Sequence, residues 1–378
     1  MSLIRRRRGA GRSRCASHFV AVVTTTATVI AASILSLPAI SASAAKSSSG
    51  SWVDENISFQ SKGTTIYATF RHPTDESTIV PGVLLIAGSG PTDRNGNSAS
   101  APGPVNTLKT LADWLSNDGV ASLRYDKLGS GRTGLGAYRA HPSSIGLTVY
   151  EQEARGALLF LAKERDVNDH ELGVFGHSEG ALFALLLATG HAGATPPLRA
   201  LGLFEPLSQR YLDLITIQVD ASLTSQVRSG AITTSLETTV ERDLKGAVTQ
   251  LRKTGSVRAD LPYGLANFLN RSDALFLSQA DRFDPALLAA HVGAGTSVLL
   301  TCSNDDVQVS CDEVDRVAKG LHSSSSHLDF VHFEGVDHVL KVDASLTGSH
   351  YAQRLAFSAQ LKSALRAFVV KSLSDRRS

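Results

Sequence analysis

Gly176-His-Ser-Glu-Gly180 constrains the fold of this chain more than any other stretch, because of what stands on either side of it. Before it, Glu171-Leu-Gly-Val-Phe175 is a short apolar run with the composition of a buried strand. After it, Ala181 to Thr189 is rich in Leu and Ala and stops at Gly190, as a helix does. A strand, a Gly-x-Ser-x-Gly turn and a helix, in that order, reverse the chain so sharply that only small residues fit beside the serine. Ser178 then stands strained and exposed at the carboxyl edge of a sheet. The helix behind it turns its positive end and free N–H groups toward any charge that develops there. A strand–turn–helix that uses glycines only for close packing is spelled the same way. The rest of the chain must therefore supply a base, an acid and further hydrogen-bond donors.

The flanking chain reads as an α/β protein. Asn56 to Gln60 and Thr64 to Phe70 alternate polar and apolar residues around Ser61-Lys-Gly63, a hairpin signal. Strands are expected at 80–87, 120–125, 171–176 and 198–204, with helices at 105–117 and 149–163 between them. That alternation predicts a mostly parallel sheet covered by helices on both faces. From 207 to 285 the pattern is helical and rich in Ser, Thr and Gln, with no strand. Strands resume at 297–301 and 329–333, and a long helix over 351–372 closes the chain. Because the chain returns to the same sheet, 207–285 is read as a helical cap inserted into a core of 52–206 and 286–378. An independent helical domain is the other reading.

Charge is informative only after the first 44 residues are set apart. They hold six of the 37 Lys and Arg and no acid, which leaves 31 basic residues against 35 acidic ones in the remainder. A mildly acidic body gives no reason to expect nucleic acid as a partner. The segment opens with Arg5 to Arg8, continues through an uncharged apolar stretch and ends at Ala42-Ser-Ala44, a small-x-small pattern. It reads as an export signal, followed by a Ser-rich linker over 45–51. An uncleaved anchor is the alternative, and it would be the protein's one route to a membrane. Export gives meaning to Cys302 and Cys311, which are close enough in sequence to suggest a disulfide. Two thiols are too few for a closed zinc site, and no His lies at ligand spacing beside them.

A serine hydroxyl needs a base to take its proton, and the base needs a carboxylate to fix its tautomer. In folds with this turn the chain order is serine, acid, histidine. Strand 297–301 runs into Cys302-Ser-Asn-Asp-Asp306, and strand 329–333 into Glu334-Gly-Val-Asp-His338, so both loops open on the edge that carries Ser178. His338 is the base. His177 must point away if Ser178 points out, His322 and His327 belong to a Ser-rich turn, and His332 alternates within a strand. For the acid, Asp306 and Asp305 both qualify, with Glu205 at the end of strand 198–204 as an outside candidate. Asp337 is too close in sequence to reach the ring beside it. Two backbone donors are expected for an oxyanion: the N–H of Glu179, and the N–H of Ser89 in the Gly-rich loop 88–96. That loop lacks the Lys-Ser/Thr ending of a phosphate-binding loop.

At these residues the sequence resembles the α/β-hydrolase superfamily, and within it the exported esterase-like hydrolases grouped with dienelactone hydrolases and serine aminopeptidases. Ala87-Gly-Ser-Gly-Pro-Thr-Asp-Arg-Asn-Gly-Asn97, Tyr125-Asp-Lys-Leu-Gly-Ser-Gly131, Gly176-His-Ser-Glu-Gly180, Asp306-Val-Gln-Val309 and Gly335-Val-Asp-His-Val-Leu-Lys341 carry the likeness, over about residues 52–370. The resemblance implies Ser178 as nucleophile, Asp306 as acid, His338 as base, and Ser89 and Glu179 as oxyanion donors. Asp93 and Arg94 would brace the oxyanion loop. It implies a secreted or envelope-associated hydrolase that cleaves small carboxylic esters through an acyl-enzyme and needs neither metal nor organic cofactor. A peptidase or amidase, a thioesterase, and a binding protein that has lost activity are the alternatives. The chain departs from the family where Cys302-Ser-Asn-Asp replaces a Gly-rich turn before the acid. The expected Cys302–Cys311 bond would then clamp the acid loop. Oligomeric state is not written in the sequence.

Overall fold

The computed structural model describes residues 51–373 apart from Glu76, Ser100 and Ser325. The export-signal reading of 1–44 and nearly all of the linker fall outside the described residues. Two strands open the fold, β1 (Trp52–Ser61) and β2 (Thr64–Pro73), paired antiparallel across a tight turn in which Lys62 and Gly63 both take positive φ. That turn suits the twist of a two-residue hairpin. The chain then alternates: β3 (Val80–Ile86), α1 (Thr107–Asn117), β4 (Ala121–Tyr125), α2 (Leu147–Leu161), β5 (Val167–His177), α3 (Glu179–Ala188) and β6 (Ala200–Phe204). Three helices follow without a strand, α4 (Tyr211–Arg228), α5 (Thr234–Thr254) and α6 (Ala274–Ala280). After them come α7 (Pro285–Ala289), β7 (Ser297–Ser303), α8 (Cys311–Ser323), β8 (His327–Phe333) and α9 (Ala359–Ser372).

The eight strands form one sheet in the order β1-β2-β4-β3-β5-β6-β7-β8. β1 and β2 pair antiparallel, as do β2 and β4, and every pairing from β4 through β8 is parallel. The two faces are covered by different helices. One apolar cluster joins α2, α3, α7 and α8 to the sheet, and the other joins α1 and α9 to its opposite side. Strands buried on both faces read as continuous apolar runs, which is why β3 and β6 lack alternation. The helix α3 is apolar all round from Ala181 to Leu187 because it is buried all round.

The helices α4, α5 and α6 pack around an apolar centre of their own, with Leu212, Leu244 and Leu251 at its heart. Asp281, 2% exposed, ties the end of this segment to its beginning. Its carboxylate accepts from the Leu212 N–H at 2.9 Å, from Arg210 at 2.7 Å and from Arg252 at 2.9 Å. A buried charge with that many donors is fully paired, so it locks the segment instead of straining it.

Two elements differ from expectation. Residues 311–323, for which no helix is expected, form α8. Its start is a capping box in which Ser310 and Glu313 satisfy each other's backbone. His322 therefore lies on a helix and His327 opens a strand, instead of both belonging to a Ser-rich turn. The closing helix begins at Ala359 and not near 351. Residues 351–357 run alongside the loop that carries His338. There Lys341 Nζ donates to the carbonyls of Tyr351 and Gln353, and the Val342 N–H donates to Ala356 O. Backbone groups spent on that loop are not free to build a helix. Among the described residues no helix is long and apolar enough to cross a membrane.

Candidate active site

Ser178 sits between β5 and α3 with φ 55° and ψ −120°, a conformation L-residues rarely adopt. The flanking glycines follow from how closely the turn is wrapped. A Cβ on Gly176 would lie 2.2 Å from the Gly180 carbonyl, and one on Gly180 would lie 2.2 Å from Ile86 O. The turn is also pinned from β6: the Ser178 N–H donates to Phe204 O at 2.9 Å, and the Leu207 N–H donates to Ser178 O at 3.1 Å. The serine is half-buried and opens onto a cavity of about 560 Å³.

His338 and Asp306 meet. The His338 Nδ1–H donates to Asp306 Oδ2 at 2.7 Å, with both side chains almost fully buried. Asp306 Oδ1 accepts from the N–H groups of Gln308 and Val309, so the carboxylate is held at both oxygens. That bond makes Nε2 of His338 the unprotonated nitrogen, the tautomer a base requires. Ser178 Oγ makes no hydrogen bond among the described residues, so its contact with Nε2 is not formed here; such contacts tighten when substrate is bound. Asp305, the other acid candidate, turns away and accepts from the Gly335 N–H, bracing the loop of His338. Asp337 accepts from the N–H groups of Val339 and Lys341, shaping the same loop. Burial, the largest influence on it, pushes its carboxyl up to about 6.

Glu205 does not touch the imidazole. It is fully buried at φ 42° and accepts from the Ser303 N–H at 3.1 Å and from Thr301 Oγ1 at 3.5 Å. Burial first, and the neighbouring Asp306 second, hold its carboxyl well above the ordinary range. His177 does point away from the cavity, toward the backbone of His338: its Nε2–H donates to His338 O at 2.7 Å, with the two rings 5.1 Å apart. Burial, aided by the charge of His338, drives its pKa down to about 3, so it stays neutral.

The N–H of Glu179 begins α3 and has no acceptor within the helix. The N–H of Ser89 has no partner among the described residues, and Ser89 lines the same cavity as Ser178 and Glu179. Gly88 passes so close to the serine turn that a Cβ on it would stand 3.2 Å from Ser178 Cβ. Asp93 closes this loop by accepting from the N–H groups of Asn95 and Asn97. Arg94 anchors it, with three bonds to Asp126, one of them from its backbone N–H, and one to Ala68 O.

Several contacts at the site have no counterpart in the sequence reading. Lys127, buried in the loop after β4, donates to Gly88 O and to Glu179 Oε1 at 2.9 Å. Tyr211, at the start of α4, donates to Glu179 Oε2 at 2.6 Å. The expected bond between Cys302 and Cys311 is present, as a disulfide that brackets Asp305 and Asp306. His332 pairs with Cys302 across β7 and β8, placing its Nδ1 3.5 Å from the sulfur, although no His stands near either Cys in sequence. Both sulfurs are engaged with each other, so this group offers no thiolate to a metal.

No protein-family model matches the sequence, and no curated protein does. Solved structures do. Est1E from Butyrivibrio proteoclasticus, determined with ferulic acid bound, superposes with a TM-score of 0.51 at 14% identity, over 84% of this chain and 100% of its own. A thermostable carboxyl esterase from Bacillus coagulans gives 0.53 at 16% identity over 85% and 99%. The Pyrococcus furiosus esterase Pf2001 gives 0.50 at 12% identity over 85% and 92%. At such identities the likeness is one of architecture, and it agrees with the strand order and the serine turn: this chain has the α/β-hydrolase fold.

Proposed function

We propose that this protein is a serine hydrolase that cleaves carboxylic esters through an acyl-enzyme. The observation that carries the reading is Ser178 in its strained turn at a cavity, in a fold that also holds an imidazole fixed by a buried carboxylate beyond the same sheet edge. In this reading Ser178 Oγ attacks the ester carbonyl and its proton passes to His338 Nε2. Asp306 steadies the imidazolium through Nδ1. The tetrahedral oxyanion is met by the N–H groups of Glu179 and Ser89. As the intermediate collapses, His338 returns the proton to the departing alcohol. Water activated by the same imidazole then releases the acid.

We read α4, α5 and α6 as a cap that sets substrate choice, because Tyr211, Leu214, Ile215, Phe268 and Phe276 supply much of the cavity wall above Ser178. Those five side chains offer an apolar surface that suits an acyl or aryl group, beside the polar Gln218, Asn267, Ser272 and Asp273. We also read the protein as exported, on the strength of the basic, apolar, small-x-small order of residues 1–44. A fluorophosphonate probe tests the chemistry: wild type should label and Ser178→Ala should not. Labelling that survives Ser178→Ala would overturn the nucleophile. A panel of p-nitrophenyl esters and aminoacyl p-nitroanilides separates esterase from peptidase, and hydrolysis confined to the anilides would overturn the ester assignment.

A further inference from the structure

We propose that Lys127 is a positioning residue for the oxyanion hole, one buried ammonium that aims both backbone donors. This rests on the serine-hydrolase reading above. Lys127 is 2% exposed and lines the cavity floor, and its Nζ has two partners, Gly88 O and Glu179 Oε1. The Gly88 carbonyl and the Ser89 N–H belong to one planar peptide unit and point in opposite directions. Fixing that oxygen therefore fixes where the N–H is aimed. A cation against a carbonyl oxygen also draws electron density from the peptide nitrogen, which makes its N–H a stronger donor. The second donor, the N–H of Glu179, belongs to the residue whose carboxylate is the other partner of Lys127. Tyr211 holds the far oxygen of that carboxylate at 2.6 Å, so the cap side of the cavity closes the same chain of contacts.

A buried ion pair that merely supports the fold would leave the Gly88 carbonyl to some other donor. Here the ammonium is shared between a carboxylate and a peptide unit whose opposite face is a cavity N–H with no partner among the described residues. Glu153, the next buried acid, is occupied elsewhere: its Oε2 accepts from the Leu128 N–H.

The test compares Lys127→Met with the double variant Lys127→Met/Glu179→Gln, which removes both charges and leaves neither buried alone. Turnover of p-nitrophenyl butyrate, affinity for a trifluoromethyl ketone that forms a tetrahedral adduct on serine, and the urea unfolding midpoint are measured for each. The single variant should lose stability and the double should regain most of it. In both, kcat should fall about 100-fold, the loss typical of a missing oxyanion donor. KM should stay within about threefold, because the interaction is made in the transition state. Affinity for the ketone should fall in step with kcat/KM. A double variant that recovers kcat along with stability would show a structural ion pair and overturn the proposal, as would a kcat loss with unchanged ketone affinity. Failure of the underlying reading looks different: wild type itself would neither turn over the ester nor label with fluorophosphonate, and both proposals would fall together.

Discussion

Glu153 offers a measurement of the electrostatics around Lys127 that does not depend on activity. It lies on α2, 1% exposed, with Oε2 accepting from the Leu128 N–H at 3.1 Å and Oε1 without a partner. Burial is the largest influence on its carboxyl; the Leu128 N–H and the charge of Lys127 pull the other way, and the result is a pKa pushed up to about 8. In an unfolded chain a glutamate titrates near about 4.3. The folded protein therefore keeps a proton that the unfolded chain releases, and stability falls as pH rises between those two values. Each unit of that window is worth about 1.4 kcal/mol.

Glu153→Gln keeps the shape and the acceptor for Leu128 but is neutral at every pH. It should be about as stable as wild type at pH 5, within about 1 kcal/mol, and more stable by up to about 3 kcal/mol at pH 7. Above pH 8 the difference should level off, because both states of wild type are then ionised. Urea unfolding at pH 5, 6, 7 and 8, with m-values compared to confirm a common transition, reads this directly. An offset that stays constant across the range would refute the reasoning. It would mean that Glu153 is ionised in the fold and shares Lys127 with Glu179.

Three further outcomes follow from the geometry. Asp306→Asn should lower kcat by about 10⁴-fold through loss of the correct tautomer, whereas Asp305→Asn should mainly cost about 1–2 kcal/mol of stability by weakening its bond to the Gly335 N–H; steady-state kinetics and urea unfolding of the pair separate the two roles. Gly180→Ala should destabilise by about 3 kcal/mol or more, since its Cβ would meet the Ile86 carbonyl and backbone cannot yield as a side chain does, while Gly190→Ala, with open space but positive φ, should cost about 1 kcal/mol. Cys302→Ala/Cys311→Ala should lose roughly 2–3 kcal/mol for a closed loop of this length, and reductant should destabilise wild type without affecting the variant; peptide mapping that finds both thiols free in oxidised protein would remove the clamp.

What could be read in the sequence was local. The serine turn announces itself because strand, glycines and helix are contiguous. The order of Ser178, Asp306 and His338 is legible because each follows a short apolar run. The helix α8 is spelled locally too: Ser310 and Glu313 form its capping box, and Val314, Val317, Ala318 and Leu321 its buried stripe. The contacts of Lys127, Tyr211 and Glu205 were not legible in any practical sense, although Glu205 itself stands out as an acid at a strand end. Their partners lie 39, 52, 32 and 98 residues away, and no periodicity or spacing encodes a contact made across a folded sheet.

That division has a physical origin in the strand order. The proposed nucleophile follows β5 and the proposed base follows β8, three strand spacings away, or about 14 Å at the usual separation. A histidine on a free loop at that distance would seldom face the serine, and each fixed rotor would cost entropy at the moment of reaction. The loop of His338 is instead fastened at points that lead back across the sheet. Asp305 and Asp306, beyond β7, hold the Gly335 N–H and the imidazole. His177, the last residue of β5, holds the carbonyl of His338 itself. His177 stays neutral, so it places no second positive charge beside the imidazolium that would form on His338. The residues proposed for the chemistry can be named from the sequence; the ones that fasten the loop of His338 across β6 and β7 exist as a group only once the sheet has formed.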